Sequence, residues 1–177
     1  MTTTFGIFGL LQKSMLWGSI DGRKIFDTLE HQIRNSPTEI IDIDLSSIES
    51  FDQEFINKVF IETLKIIESL GGTKSVILTN VNNGEIIYQI SIALKRSNFF
   101  VLYRSDKVLK MVGDVSLQKK NILQKIEKGK QFSKKDICIQ GSSYSCECIS
   151  DLEKFVKLGY IKKVDNDVYD SKLTEVV

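Results

Sequence analysis

The lysines of this chain are the residues best suited to bind a charged partner. Seven of them lie within residues 119–135, a stretch that contains only one acidic residue, Glu127. The seven are Lys119, Lys120, Lys125, Lys128, Lys130, Lys134 and Lys135. Such a cluster can neutralise the phosphates of a nucleic acid. Charge runs more often form a solvated helix face, so the cluster favours a phosphate contact without deciding it. The formal net charge of +1 adds no overall field that would indicate nucleic acid or membrane.

Residues suited to catalysis are scarce. His31 is the only histidine, and it falls on the polar face of a predicted helix. Asp42 and Asp44 share one face of a predicted strand, but a metal or acid–base site would need further carboxylates, so we interpret them as a strand end near solvent. Asp52 and Glu54 are explained by the dipole of the helix that starts beside them. Without a glycine-rich phosphate loop or a nucleophile elbow, the sequence predicts a protein that is not an enzyme and has no cofactor.

The cysteines Cys138, Cys146 and Cys148 lie in one short stretch. An odd number of cysteines argues against a secreted disulfide framework. Thiolates here could hold zinc or an iron–sulfur cluster, but the pattern is a weak metal signal, and free cysteine commonly packs as a small apolar residue. Residues 1–15 lack the basic segment of a signal peptide, and no apolar run approaches the ~20 residues that span a bilayer. We therefore predict a cytoplasmic protein with no metal and no membrane partner.

The stretch at residues 40–72 organises the first part of the chain. Its strand, residues 40–45, is apolar on one face, and a long amphipathic helix follows until Gly71 and Gly72 stop it. An irregular strand or a hairpin is predicted at residues 3–11. Further strands are predicted at residues 74–80, 99–104 and 107–112, and further helices at residues 21–35 and 85–98. Strands that alternate with helices predict an α/β domain with a partly parallel, mixed sheet.

The composition changes at Gly113 and Asp114, and a different pattern follows. Helices are predicted at residues 117–129, from Ser133 and at residues 145–159, and a hairpin at residues 160–170. Three helices and a small hairpin are the outline of a winged helix, whose third helix and wing approach the duplex in DNA-binding examples. We therefore predict an α/β domain over residues 1–114 and a small winged helix-turn-helix domain over residues 115–177.

Residues 40–55, IIDIDLSSIESFDQEF, resemble the core of STAS domains, the fold of anti-sigma-factor antagonists. In that family a hydrophobic strand ends in Asp-Leu-Ser and a helix begins shortly afterwards. With the turn TNVNN and the helix EIIYQISIAL, residues 5–112 are more similar to a STAS-like family of uncharacterised bacterial proteins. The resemblance implies a module for protein interaction or dimerisation.

The helix start of this STAS-like segment differs from that of the phospho-switch antagonists. Those proteins place a phosphorylatable serine or threonine after an aspartate at this point. Asp52 matches the aspartate, but Gln53 and Glu54 follow it, and Ser50 precedes the matching position. The resemblance therefore implies that these four residues dock a partner without phosphorylation.

Residues 117–170 resemble the winged-helix domains of transcription regulators, through Leu152 and the run Leu-Gly-Tyr-Ile that begins at Leu158. The resemblance implies that lysines and hydroxyl-bearing residues of this domain contact DNA. These residues are Lys119, Lys120, Lys134, Lys135, Ser142, Ser143, Tyr144, Ser145, Lys154, Lys162 and Lys163. Glu147 and Asp151, in the first turns of the third helix, weigh against a DNA contact.

The sequence as a whole predicts a non-enzymatic bacterial regulatory protein. Its STAS-like domain would bind a protein partner or a second copy of the chain in a homodimer. Its winged helix would bind duplex DNA, as in a transcription regulator. The alternative is a protein–protein adaptor in which the winged helix is a scaffold and no DNA is bound, because fold does not determine function.

Overall fold

A computed structural model describes residues 2–106, 108–129, 131–140, 143–144 and 146–173, with only the backbone described at residues 139, 140, 143 and 144. Contacts between Cα atoms divide the chain into two units. One unit comprises Met1–Ile66 and Val76–Asp114, and the other comprises Ile67–Ser75 and Val115–Val177. The chain therefore enters the second unit at residue 67, returns to the first at residue 76, and leaves it again after residue 114.

The first part of the chain alternates strands with helices, as predicted. Its elements are β1 (Thr2–Gly6), α1 (Ile7–Leu11), β2 (Met15–Leu16), α2 (Gly18–Asn35), β3 (Ile40–Asp44), β4 (Ser50–Phe51), α3 (Gln53–Ile56), a π-helical segment (Asn57–Ile61), α4 (Glu62–Ser69), β5 (Ser75–Thr79), α5 (Gly84–Arg96), β6 (Phe100–Ser105) and β7 (Val108–Gly113). One sheet has the order β1-β3-β5-β6-β7, in which β1 is parallel to β3, β5 is parallel to β6, and β6 is antiparallel to β7. The prediction of an α/β fold with a mixed sheet is confirmed.

The central strands β3 and β5 are buried on both faces. The first four residues of β3 and all five residues of β5 are buried. This burial explains their nearly continuous apolar sequences, because a strand covered on both faces has no solvent-exposed side. The register between β1 and β3 pairs Thr4 with Asp42 and Phe5 with Ile43. Side chains alternate along a strand, so the polar pair and the apolar pair lie on opposite faces of the sheet.

The long helix of the organising stretch forms as predicted, with one irregularity. Asp52 is the N-cap of α3, and its carboxylate accepts a hydrogen bond of 2.7 Å from a backbone N–H of the first turn. The π-helical segment that follows α3 is not visible in the apolar periodicity. The helix ends at Ser69, and Gly71 and Gly72 follow with φ angles of +64° and +73°. Positive φ angles favour glycine, so both glycines end the helix where expected.

The N-terminal prediction is wrong in part. The predicted strand at residues 3–11 ends at Gly6, and the rest of that stretch forms α1. A short apolar run is compatible with a strand or a buried helix, and its periodicity alone does not separate them. The next helix, α2, begins at Gly18 rather than at residue 21.

The second part of the chain contains three helices followed by an antiparallel hairpin. Its elements are α6 (Leu117–Glu127), β8 (Phe132–Ser133), α7 (Lys135–Cys138), β9 (Ile139–Gln140), β10 (Ser143–Tyr144), α8 (Cys146–Lys157), β11 (Ile161–Asp165) and β12 (Val168–Ser171). The strands β11, β12 and β8 form an antiparallel sheet in that order, and β9 pairs with β10. The rings of Phe132 and Tyr169 lie 5.8 Å apart and join β8 to the hairpin. The short strands β8, β9 and β10 were not predicted.

Residues 67–75 belong to the second unit, although they follow a helix of the first part of the chain. Lys154 Nζ in α8 lies 2.6 Å from Glu68 Oε1. Lys172 Nζ donates a hydrogen bond of 3.0 Å to the carbonyl oxygen of Gly72. These polar contacts connect residues 67–75 with α8 and with the residue that follows β12. Sequence reasoning had assigned residues 67–75 to the α/β domain.

Candidate functional site

A polar cleft with a volume of about 330 Å³ opens on the sheet of the first unit. Its lining residues belong to β1, β3, β5 and β6 or directly follow these strands, and they are Thr4, Asp42, Thr79, Asn80, Arg104 and Asp106. The strand order brings them together, because β1, β3, β5 and β6 are successive neighbours in the sheet. We call these six residues the polar cleft.

Two of the lining residues of the polar cleft form an ion pair. Arg104 Nη1 is 3.6 Å from Asp42 Oδ2, and the two side chains are 26% and 10% exposed. Burial raises the pKa of Asp42 above its ordinary value of 3.8, and the Arg104 guanidinium and, to a smaller extent, a hydrogen bond with the Thr2 side chain oppose that rise. Because burial outweighs the attraction, the carboxylate is only partly compensated by its partner.

Three polar atoms of this ion pair have no hydrogen-bond partner among the residues that the structure describes. They are Asp42 Oδ1, Arg104 Nε and Arg104 Nη2, and all three are buried. Buried polar atoms are nearly always hydrogen-bonded, and leaving one without a partner costs about 1–3 kcal/mol, or more if it is charged. Three such atoms on one ion pair make the polar cleft the candidate functional site of the first unit.

The polar cleft corrects our interpretation of Asp42 as a residue near solvent, whereas Asp44 is the half-buried last residue of β3, in agreement with a strand end. Asp42 is only 7% exposed and faces Arg104. Asp44 does have a structural role, since its Oδ1 accepts hydrogen bonds from Ser46 N at 2.8 Å and Asn80 Nδ2 at 3.0 Å. One sequence signal could have found the site: the apolar run IIDID contains two aspartates, the apolar run FFVLYR contains one arginine, and the charges are opposite. Buried charges are usually paired.

Two turns that line the polar cleft have left-handed backbone. Asn80 follows β5 with φ of +55°, and Asp106 follows β6 with φ of +51°. Asparagine and aspartate tolerate this conformation better than most residues, since their short polar side chains can hydrogen-bond locally. Both turns therefore place a polar side chain at the end of a strand, beside the ion pair.

Three of the lysines predicted to contact DNA have acidic neighbours. Lys119 is buried, and its Nζ lies 3.4 Å from Asp151 Oδ1. Lys154 pairs with Glu68 at 2.6 Å, and Lys134 lies 3.8 Å from an aspartate in the turn between β11 and β12. The burial of Lys119 corrects the expectation that this side chain lies on the surface. Lys119 is buried because of the tertiary packing, in which α8 places the carboxylate of Asp151 beside α6.

Four predicted lysines are exposed, and two of them are adjacent on the hairpin. Lys120 lies in α6 and Lys135 begins α7. Lys162 and Lys163, which we call the hairpin lysines, lie in β11. These four side chains can reach solvent and hence phosphate.

The exposed face of α8 is acidic rather than basic. Glu147, Ser150, Glu153 and Lys157 are its exposed residues after Cys146. Two carboxylates against one ammonium would repel a phosphate backbone. The acidic helix start noted in the sequence therefore reaches the surface through Glu147, whereas Asp151 is buried with Lys119.

The predicted hydroxyl-bearing contacts lie just before α8. Ser143 and Tyr144 form β10 and pair antiparallel with β9 through the backbone. Ser142 and Ser145 lie outside the described residues. The predicted roles of these four residues in DNA binding stay predictions.

The four residues predicted to dock a partner lie at the start of α3, and they divide into two pairs. Ser50 is half-buried in β4, and both carboxylate oxygens of Asp52 accept backbone hydrogen bonds, one of them from Gly18 N at 2.6 Å. Gln53 and Glu54 are exposed. Only Gln53 and Glu54 are therefore placed to meet a partner through their side chains.

Exposed apolar residues adjoin this helix start. Residues 15–18 run beside residues 50–52, through the pairing of β2 with β4 and the hydrogen bond to Asp52. Trp17 is 60% exposed and Ile20 is 85% exposed. Exposed aromatic and aliphatic side chains of this kind are enriched in protein interfaces, and sequence reasoning did not single them out.

Two of the three cysteines are joined. Cys138 and Cys148 form a disulfide that ties α7 to α8, with their Cα atoms 5.4 Å apart. Both residues are buried, and Cys146 is a free, exposed cysteine. This bond corrects the expectation that these cysteines pack as free thiols, and it leaves no pair of thiolates in the Cys146–Cys148 motif for a metal.

Comparison with known proteins identifies no family. No protein-family model, no curated protein and no solved structure matches this chain. The resemblances to STAS-like and winged-helix domains therefore stay predictions. No helix in the part of the chain that the structure describes is both long enough and apolar enough to cross a lipid bilayer.

Proposed function

We propose that this chain is a non-catalytic regulatory protein whose second unit is a winged helix that binds duplex DNA. The observation that supports the proposal best is the pair of hairpin lysines, which are exposed on the strand that would form the wing. The order of three helices, β8 and the β11–β12 hairpin agrees with the winged-helix arrangement.

The proposed DNA contact is made mainly to phosphates. The exposed lysines Lys120, Lys135, Lys162 and Lys163 supply its positive charge. The exposed carboxylates of α8 leave this helix poorly suited to reading bases in the major groove, where arginine, lysine and amide side chains are the usual readers. Binding is therefore expected to depend strongly on salt and only weakly on sequence.

Fluorescence anisotropy with a short labelled duplex of mixed sequence tests this proposal. If three or four lysines each neutralise one phosphate, the logarithm of the binding constant falls against the logarithm of salt concentration with a slope of about −3 to −4. Lys162 and Lys163 are consecutive in β11, so their side chains point to opposite faces of the hairpin. The double variant Lys162→Ala/Lys163→Ala is therefore expected to reduce the magnitude of the slope by about 1 to 2. The matched control Lys24→Ala/Lys95→Ala removes two exposed lysines of the first unit and should leave the slope unchanged.

Two results would contradict the proposal. One is the absence of binding at about 50 mM salt, where phosphate contacts are strongest. The other is an equal loss of affinity in the hairpin variant and in the first-unit control, which would indicate a general charge effect.

A second candidate function, the protein–protein adaptor, is favoured by the acidic face of α8. In an adaptor, Glu147 and Glu153 would face a basic partner, and Trp17 and Ile20 would lie in a contact of the first unit. The double variant Glu147→Gln/Glu153→Gln separates the two functions. It should strengthen DNA binding if α8 lies near phosphates, and it should weaken capture of a protein partner if the chain is an adaptor.

The interaction role of the STAS-like segment is also a proposal, and homodimerisation is its simplest form. Trp17→Ala/Ile20→Ser removes two exposed apolar side chains with little effect on the core. Sedimentation velocity of the wild type and this variant measures whether a dimer forms and whether these residues hold it together. A wild-type chain that sediments as a monomer at all concentrations would exclude the homodimer.

A further inference from the structure

We propose that the polar cleft binds a small zwitterion with an ammonium and a carboxylate group, the chemical class of the free amino acids. The lining residues all belong to the first unit. The proposal is therefore independent of whether the second unit binds DNA.

The first observation is the incomplete ion pair. Asp42 is nine-tenths buried at its side chain, yet its Oδ1 has no partner among the described residues. Arg104 Nε and Nη2 likewise have none. These two nitrogens form one edge of the guanidinium, and such an edge binds a carboxylate through two parallel hydrogen bonds. A small adjustment of the Arg104 side chain, whose Nη1 is 3.6 Å from Asp42 Oδ2, would present this edge to a ligand.

The charges of the polar cleft select between ligand classes. Asp42 and Asp106 are carboxylates, and Arg104 is the one cationic side chain among the lining residues that the structure describes. A simple anion would meet Arg104 but be repelled by two carboxylates, and a simple cation would meet the carboxylates but be repelled by the guanidinium. A zwitterion matches both signs of charge in the polar cleft, since its carboxylate can bind Arg104 and its ammonium group can bind Asp42.

The volume and the neutral lining groups agree with this class. About 330 Å³ lies at the lower end of the range of small-molecule sites, so the ligand must be small. Thr4 and Thr79 contribute hydroxyl groups and Asn80 an amide, which can orient a small polar ligand. An apolar ligand would gain little from such a lining.

NMR spectroscopy of the full chain tests the proposal. The protein is titrated separately with each standard L-amino acid to about 1 mM, a concentration that detects millimolar affinity. Cysteine is left out, because its thiol would exchange with the Cys138–Cys148 disulfide. The backbone amide resonances of Thr79, Asn80 and Asp106 should shift and saturate. Resonances of the hairpin lysines, in the second unit, provide an internal reference.

Ligand derivatives make the test independent of variants that could fail to fold. The amino acid with the largest effect is compared with its N-acetyl derivative, which lacks the ammonium, and with its carboxamide derivative, which lacks the carboxylate. Both derivatives are expected to bind about ten-fold more weakly or worse, since each loses a charge-assisted hydrogen bond.

The variant Arg104→Met should reduce affinity by about ten-fold or more for the same reason, whereas Arg96→Met, an exposed arginine of α5, should leave it unchanged. No saturable shift with any amino acid would overturn the proposal. Undiminished binding of the N-acetyl derivative would replace it with an anion site, and undiminished binding of the carboxamide would replace it with a cation site.

Discussion

Replacing Lys119 with methionine should destabilise the protein without weakening DNA binding. Its side chain is 8% exposed, that of its partner Asp151 is 11% exposed, and the charged atoms lie 3.4 Å apart. Asp151 Oδ2 also accepts a hydrogen bond of 3.0 Å from Ser116 Oγ, and Ser116 caps α6. Methionine keeps the apolar stem in place and removes only the charge, so Asp151 would be left buried with a single hydroxyl donor.

The expected magnitude follows from the burial of this pair. At an effective dielectric constant of about 20, the attraction across 3.4 Å is about 5 kcal/mol. Most of it offsets the desolvation of the two charges, but removing one partner leaves the other uncompensated, at a cost of about 3–5 kcal/mol. We expect Lys119→Met to lower the free energy of unfolding by about 3 kcal/mol. The matched control Lys120→Met, at an exposed position, should change it by less than about 0.5 kcal/mol.

Urea unfolding, followed by circular dichroism, measures both variants, and a double-mutant cycle isolates the ion pair. Asp151→Asn should also destabilise the protein, because it leaves a buried ammonium group. The double variant Lys119→Met/Asp151→Asn should be less destabilised than the sum of the single variants, by about 1–3 kcal/mol. The sole tryptophan, Trp17, lies in the first unit, so its fluorescence follows the unfolding of that unit separately.

Two outcomes would refute this reasoning. If Lys119→Met is as stable as Lys120→Met, Lys119 is not held in a buried ion pair. If Lys119→Met instead weakens DNA binding as much as Lys162→Ala/Lys163→Ala does, Lys119 contacts phosphate, and the placement of α6 against α8 is incorrect.

Further predictions concern the Cys138–Cys148 disulfide, the close packing of Gly72 against α8 and the buried carboxyl group of Asp42. Reducing the Cys138–Cys148 disulfide, which closes a loop with a sequence separation of 10, should lower the free energy of unfolding by about 3 kcal/mol through loop entropy. Equal stability with and without dithiothreitol would contradict the crosslink. Gly72→Ala should destabilise the protein by about 1–3 kcal/mol more than Gly71→Ala, because both glycines have positive φ but only a Cβ at Gly72 would overlap a backbone carbonyl of α8. Because the raised pKa of Asp42 makes the folded state bind its proton more tightly than the unfolded state, wild-type stability relative to Asp42→Asn should fall as pH rises from about 3.8 through the folded pKa. A difference between the two proteins that does not change as the pH rises above 3.8 would show that Asp42 is not desolvated.

Local sequence pattern predicted most of the secondary structure, since helices and strands differ in the spacing of their apolar residues. The strand β3, the helix that Gly71 and Gly72 end and the β6–β7 hairpin all lie close to their predicted positions. A local contact also lies at the start of the predicted second helix, where Asp136 Oδ2 accepts a hydrogen bond of 2.6 Å from Ser133 N. Each of these features depends on residues that are near one another in the chain.

The sites were predicted less well, because their residues come from distant parts of the chain. Asp42 was interpreted as a residue near solvent because nothing adjacent to it indicated that β6 would place Arg104 beside it. Lys119 was grouped with its lysine neighbours because the position of Asp151 depends on the packing of α8 against α6. Whether a charged side chain is buried and paired depends on the residues that pack around it. The number of lysines in a segment carries no information about that packing.

By itself the sequence determined that this protein has an α/β part with a mixed sheet followed by three helices and a hairpin. The spacing of apolar residues, capping residues and glycines act on secondary structure within a few residues, so the sequence alone predicts their effects. Only the tertiary structure decided which charges are buried and paired, which cysteines are joined, and where a polar cleft opens. Burial and electrostatic pairing depend on distance in space, and strand order and helix packing set that distance.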